Sequence, residues 1–210
     1  MYLYTRQARV NSFDAVAWAV ETAGALQAAS GVESQVWGAV YSPGFGTIAW
    51  TSWYENFAAL EAATNAMMAD EAYMAKSAEG GQWMVPGFGV DDQLLELIAG
   101  EPDPEANPLY VAAAQAVCAG GNIARGMALG VEIAQRAEAA TGAGTLFMRT
   151  VTGPYAGVAW FTAAEDGAAM DAQQAALAAD AGFVELIDST AGAYVEDASA
   201  TQSVLWRRLS

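Results

Sequence analysis

Among 210 residues there is no histidine, one cysteine and one lysine. Each scarcity removes chemistry. Without histidine, nucleophilic triads of the Ser–His or Cys–His kind are excluded. The imidazole ligand most used by zinc and by haem iron is also missing. Tyr, Cys or Met could ligate haem iron in principle, but no motif singles one out, so neither a metal nor a cofactor is expected. Cys118 cannot form an intrachain disulfide, and beside Ala119-Gly120-Gly121 it reads as a small buried apolar residue. The glycines match neither a dinucleotide fingerprint nor a phosphate loop. No apolar run reaches the roughly 18 residues that a membrane-spanning helix needs. Met1 to Val10 lacks the apolar centre of an export signal, so a cytoplasmic location is expected.

Lys76 is the only lysine, and the eight cations face 24 acids, for a net charge of −16 and a pI near 4.1. Such a surface repels nucleic-acid phosphates and anionic lipid, so neither is expected as a partner. The carboxylates fall at helix caps, on helix faces and in a linker, which reads as solvated surface rather than a cation site.

What is present is ample core material, with 54% apolar and 10% aromatic residues. It is written twice. Shifting the chain by 110 residues lays 42–76 on 152–186 without a gap. Trp50/Trp160, Glu55/Glu165 and Asp70/Asp180 are then identical, Ile48/Val158, Asn56/Asp166 and Tyr73/Phe183 are conservative, and further identities are alanines.

Each copy reads strand, helix, strand, strand, helix, strand. In the first, 2–9 is a strand, and Asn11 or Ser12 caps a helix that Ser30-Gly31 stops near Ala29. Gln35 to Tyr41 and Thr47 to Thr51 are strands joined by the turn Ser42-Pro43-Gly44. In the second, Leu109 to Val117 precedes a helix near Ile123 to Ala139. Thr145 to Val151 and Gly157 to Phe161 flank the turn Thr152-Gly153-Pro154. Ser52-x-x-Glu55 and Thr162-x-x-Glu165 have the form of capping boxes for the next helix. Asp70 and Asp180 cap a short extra helix, and Trp83 and Tyr194 fall in matching final strands. Gln93 to Ile98 and Ser203 to Arg208 correspond as a closing strand or helix. The domains are thus 1–101 and 109–210, with Pro102 to Pro108, including Pro104, as an acidic proline-rich linker.

A four-stranded antiparallel sheet with both helices on one face leaves its other face bare, and pairing two such faces buries both. The order βαββαβ, with Trp50-Thr51-Ser52-Trp53-Tyr54-Glu55-Asn56-Phe57 and Ala69-Asp70-Glu71-Ala72-Tyr73, resembles the dimeric α+β barrel superfamily, in particular its NIPSNAP-like and antibiotic-biosynthesis-monooxygenase-like members. The resemblance implies an α+β fold in which two ferredoxin-like repeats pair their antiparallel sheets into one barrel.

Candidate site residues are aromatic or cationic. Trp37, Trp50, Trp83, Trp160 and Tyr194 lie in expected strands, where they either pack a core or line a ligand cavity. Arg6 shares a strand face with Tyr2 and Tyr4, and Arg149 with Phe147 and Val151. A mid-strand arginine is costly to bury unless paired. Either each meets one of the many acids in a salt bridge, or one holds a ligand carboxylate, phenolate or enolate. Gln7 and Gln35 could add neutral hydrogen bonds. Trp206-Arg207-Arg208 is either a solvated tail or a contact for a second copy. The expected function is binding of a small, largely apolar, anionic molecule in the cavity of the barrel, between its sheets. The resemblance adds an alternative, a monooxygenase without metal or flavin acting on a polycyclic phenol, and a packed assembly protein is the third reading.

Overall fold

The computed structural model describes residues 1–42, 46–103 and 105–210. The Ser42-Pro43-Gly44 turn and Pro104 of the linker therefore fall outside the described residues, in whole or in part. In chain order the elements are β1 (Tyr2–Arg9), α1 (Ala15–Ser30), β2 (Gln35–Val40), β3 (Thr47–Tyr54), α2 (Phe57–Ala69) and α3 (Glu71–Ala78). After a 3-10 turn at Glu79–Gln82 come β4 (Val90–Ala99), β5 (Tyr110–Val117), α4 (Ile123–Thr141), β6 (Thr145–Thr150), β7 (Gly157–Ala164), α5 (Gly167–Ala179), α6 (Ala181–Asp188) and β8 (Gln202–Arg208). The eight strands found among the described residues hydrogen-bond in the order β1-β3-β2-β8-β5-β7-β6-β4 and close into an antiparallel barrel, so the fold is the expected α+β barrel of two ferredoxin-like repeats. The chain divides into two compact units, Met1–Leu95 with Arg207–Ser210, and Glu96–Trp206.

Three sets of local expectations are corrected. Ser52-x-x-Glu55 and Thr162-x-x-Glu165 are not caps. The strands run on through them to Tyr54 and Ala164, because β1 pairs Tyr4 with Ser52 and Tyr2 with Tyr54, and β5 pairs Ala112 with Thr162. The caps are Asn56 and Asp166, one residue beyond each glutamate, whose side chains accept the N–H of Ala59 and Ala169 at 2.9 and 2.8 Å. Trp83 and Tyr194 precede the final strands, which are β4 and β8. Trp83 follows the 3-10 turn, and Tyr194 makes an isolated bridge to Cys118. The α1 helix starts at Ala15, and Asn11 instead donates to Gln82 O at 3.1 Å, as Asn122 does to Gly192 O at 3.0 Å in the other unit.

Other expectations hold. Asp70 and Asp180 accept from the N–H of Tyr73 and Phe183 at 2.7 and 2.6 Å. Left-handed Gly31 and Gly142 end α1 and α4, as a Cβ-free residue can at that φ. Gln93 to Ile98 and Ser203 to Arg208 are strand.

In the first unit, α1 packs on one face of β1, β3 and β2 through Ala15, Trp18, Ala19 and Ala23 against Ala8, Ile48, Trp50 and Val36. In the second, α4 covers Ala116, Phe147 and Val158. The register makes the two cores comparable position by position. Trp50 and Trp160 both donate from the indole N–H to the covering helix at 2.9 Å, to Ala19 O and Gly130 O. Beside them, Val36 pairs with Trp50 and Phe147 with Trp160. The helix residue is alanine over valine in one unit and glycine over phenylalanine in the other, an exchange that keeps the packed volume level.

Gly130 has no room for more. A Cβ there would lie 2.1 Å from Phe147 Cζ. Gly130→Ala is therefore expected to cost about 1–3 kcal/mol from overpacking, although alanine gains about 1 kcal/mol of helix propensity. A lower urea midpoint at unchanged m-value is the expected result, and a rise in midpoint would contradict the close approach.

Candidate functional site

Alternation along β1 sends Tyr2, Tyr4, Arg6 and Ala8 to the helix-covered face, opposite Tyr54, Ser52, Trp50 and Ile48 of β3. Beyond the edge of α1 these side chains form a polar cluster. Arg6 donates from Nε and Nη2 to the two carboxylate oxygens of Asp92 on β4, both at 2.8 Å. Both side chains keep about two-fifths of their surface in solvent, at 42% and 44%. The fork uses Nε and Nη2, so the Nη1 amino group has no protein partner among the described residues. The guanidinium carbon stands 6.0 Å from the centre of the Tyr4 ring.

Burial, helped by the charge of Asp92, pushes the Tyr4 phenol well above its ordinary pKa, against the opposing charge of Arg6. Burial likewise raises Tyr54. Tyr73, carried on α3, is near enough to couple electrostatically to Tyr4, Arg6 and Tyr54. Burial tends to raise Asp92, but the hydrogen bond and charge of Arg6 outweigh it and hold the carboxyl below its usual value. The assembly is thus a pinned cation with one face open, beside the phenols of Tyr4 and Tyr54, which burial keeps protonated.

The remaining sequence candidates lie elsewhere. Arg149 is half exposed and donates from Nε to Glu96 at 2.6 Å. Trp50 is buried edge-to-face on Trp18, with ring centroids 5.4 Å apart, and Trp83 packs against the same core. Trp160 lies between Phe147 and Tyr194, at 5.3 and 5.7 Å, and Tyr194 donates its hydroxyl to Gly126 O at 2.6 Å. Trp37 occupies the sheet face away from α1, beside Ala49, with its indole N–H on Thr51 Oγ1 at 2.9 Å. Of the candidates, only Arg6 belongs to the cluster. Tyr4, Tyr54, Tyr73 and Asp92 are additions that the sequence reading missed. Among the described residues no group of three or more acids or cysteines is placed to hold a metal ion, and no helix is long and apolar enough to cross a membrane.

A pH experiment reads the phenols directly. Tyr4, Tyr54 and Tyr194 all have raised pKa values, burial being the leading cause. The unfolded chain, with phenols near 10, loses these protons first. The stability they contribute is full below about pH 10 and is lost as pH rises from there through the folded values. Tyrosinate absorbance is expected to level off short of eight residues near pH 11 and to complete only with alkaline unfolding. A full titration of the folded protein near pH 10 would contradict the burial.

No family model and no curated protein sequence matches the chain. Solved structures do. A provisionally assigned monooxygenase from Fusobacterium nucleatum subsp. nucleatum ATCC 25586 aligns with TM-score 0.70 at 11% identity, covering 100% of this chain and 92% of that one. An anthrone oxidase-like protein aligns with TM-score 0.69 at 10% identity, over 99% and 90%. A provisionally assigned chlorite dismutase aligns with TM-score 0.54 at 13% identity, over 100% and 96%. The chain shares the ferredoxin-like α+β barrel fold of these proteins, and at such identities it is the fold that is shared.

Proposed function

We propose that this protein binds a small, largely apolar phenolic molecule as its anion, with the ligand oxygen on the open Nη1 side of Arg6. The observation that carries this reading is the geometry of the Arg6–Asp92 fork. Two parallel hydrogen bonds fix the guanidinium plane, and the unused N–H groups of Nη1 point away from the carboxylate. The partly exposed Tyr4 and Tyr73 rings supply flat apolar surface for an aromatic ligand. An arginine suits a phenolate or enolate better than a lysine would, since its donors are pre-set in a plane. The test is a titration with 1-naphthol, followed by tryptophan fluorescence. Saturable binding that weakens as salt rises is expected, and no binding would overturn the reading.

A second reading is favoured by the neighbours whose descriptions are monooxygenase and anthrone oxidase-like. The bound anion would carry its charge on a ring carbon and react with dioxygen. A C–O bond forms to give a hydroperoxide, and loss of water leaves a ketone. A CH2 group becomes C=O, and one O2 yields one product oxygen and one water. Against turnover stands Asp92, whose lowered pKa makes it a weak proton acceptor. An oxygen electrode with anthrone separates the two readings. Uptake of one O2 per anthrone supports the oxygenase, and saturable binding without uptake leaves the binder.

A further inference from the structure

We infer that the two repeats have divided their labour, and that the first unit holds the ligand while the second has lost the site and serves as scaffold. This rests on the binding reading above and deepens it. The registers match the repeats residue by residue. Tyr2↔Tyr54, Tyr4↔Ser52, Arg6↔Trp50 and Ala8↔Ile48 correspond to Tyr110↔Ala164, Ala112↔Thr162, Ala114↔Trp160 and Ala116↔Val158. The core members of these rows are kept as a tryptophan, an alanine and a β-branched residue. The site members are not. Tyr4 becomes Ala112, Arg6 becomes Ala114 and Tyr54 becomes Ala164.

The partners of those residues change with them. Under the 110-residue shift Asp92 falls on Gln202, and Tyr73 falls on Phe183. The cation and its carboxylate are thus both absent in the second unit, as are the phenols at the places of Tyr4, Tyr54 and Tyr73, while Tyr2 keeps its counterpart in Tyr110. Ser52 becomes Thr162, whose hydroxyl is taken up by Thr145 at 3.1 Å. A chain that kept two working sites would keep at least one of the charged pair twice.

The two units also tie this helix pair differently: Lys76 of α3 reaches Glu21 of α1 at 2.9 Å in the first. Arg136 of α4 grips Asp180, at the α5–α6 elbow, from Nε at 2.9 Å and from Nη2 at 2.7 Å. The guanidinium lies so close over Gly182 that a Cβ there would be 2.6 Å from Nη2. Arg136 stands six residues before the cap glycine Gly142, and the residue six before Gly31 is Ala25. The matching elbow of the first unit, which carries Tyr73, therefore has no such clamp from that position. The stack of Phe147, Trp160 and Tyr194 lies under α4 in the same unit.

The experiment is native mass spectrometry and calorimetry of the full chain with 1-naphthol, on wild type, Arg6→Gln, Tyr73→Phe and Gln202→Ala, each checked for folding by circular dichroism. One equivalent per chain is expected. Its Kd should rise about tenfold or more in Arg6→Gln, rise less in Tyr73→Phe, and hold in Gln202→Ala. Should Arg6→Gln not fold, Tyr73→Phe decides between the units. Two equivalents, or one that survives Arg6→Gln or Tyr73→Phe unchanged, would overturn the division of labour while leaving binding intact. No binding in wild type would remove both.

Discussion

Truncating Phe147 to alanine is expected to cost about 3–5 kcal/mol, a large part of the roughly 5–15 kcal/mol by which a folded domain is stable. Phe147 is wholly buried, lies against Trp160 and fills the space under Gly130. Its loss removes an aromatic ring's worth of burial and leaves a void that backbone held in two ladders and a helix cannot close. The companion result identifies the cause. Gly130→Ala is destabilising in the native background because its Cβ meets the Phe147 ring. In Phe147→Ala the same methyl enters empty space and should stabilise, through helix propensity and partial filling of the void. The double-mutant cycle is expected to show a coupling of about 1–3 kcal/mol. Additive effects would mean that the ring and the glycine are not in contact.

Arg6→Gln is expected to weaken binding of a phenolate ligand by about 10- to 100-fold, the worth of a charge-assisted hydrogen bond of about 1.5–3 kcal/mol. Arg6→Lys should recover little of it, since an ammonium cannot bridge both Asp92 oxygens and still present a planar pair of donors. If the oxygenase reading holds, the same change removes the group that stabilises the developing anion, and turnover should fall about 100-fold or more. Arg149→Gln is the control. That residue is an arginine on β6, already paired to Glu96, and its replacement should leave Kd unchanged. Equal losses in the two variants would point to net charge rather than to a site.

Much of this architecture was legible in the sequence because it is written in local, repeated signals. The cap glycines after α1 and α4, the aspartates before α3 and α6, and the Trp50/Trp160 pair each mark a position in both copies. Where local signals misled, longer-range pairing decided. Ser52-x-x-Glu55 satisfies the pattern of a cap, yet the ladder to β1 keeps Ser52 and Tyr54 extended, and Asn56 takes the capping role. Trp83 and Tyr194 have strand-like character, but they are used to pack under α1 and α4 ahead of strands that begin several residues later.

The site was legible only at Arg6. Its other members stand at positions 4, 54, 73 and 92, and nothing in their spacing brings them together before the register of β1 on β3 is known. Alternation did place Tyr2, Tyr4 and Arg6 on one face. The missing signal was the comparison of the copies for what differs. Laying Tyr4, Arg6 and Tyr73 against Ala112, Ala114 and Phe183 marks the positions at which one repeat departs from the other.

The most direct measurement is the ultraviolet difference spectrum of 1-naphthol bound to the protein at a pH below the ligand's own pKa. A guanidinium that receives the ligand oxygen shifts the ligand toward its ionised form, so the naphtholate band should appear on binding and be absent with Arg6→Gln. A bound ligand whose spectrum stays that of the neutral phenol, or a band that persists without Arg6, would contradict the account.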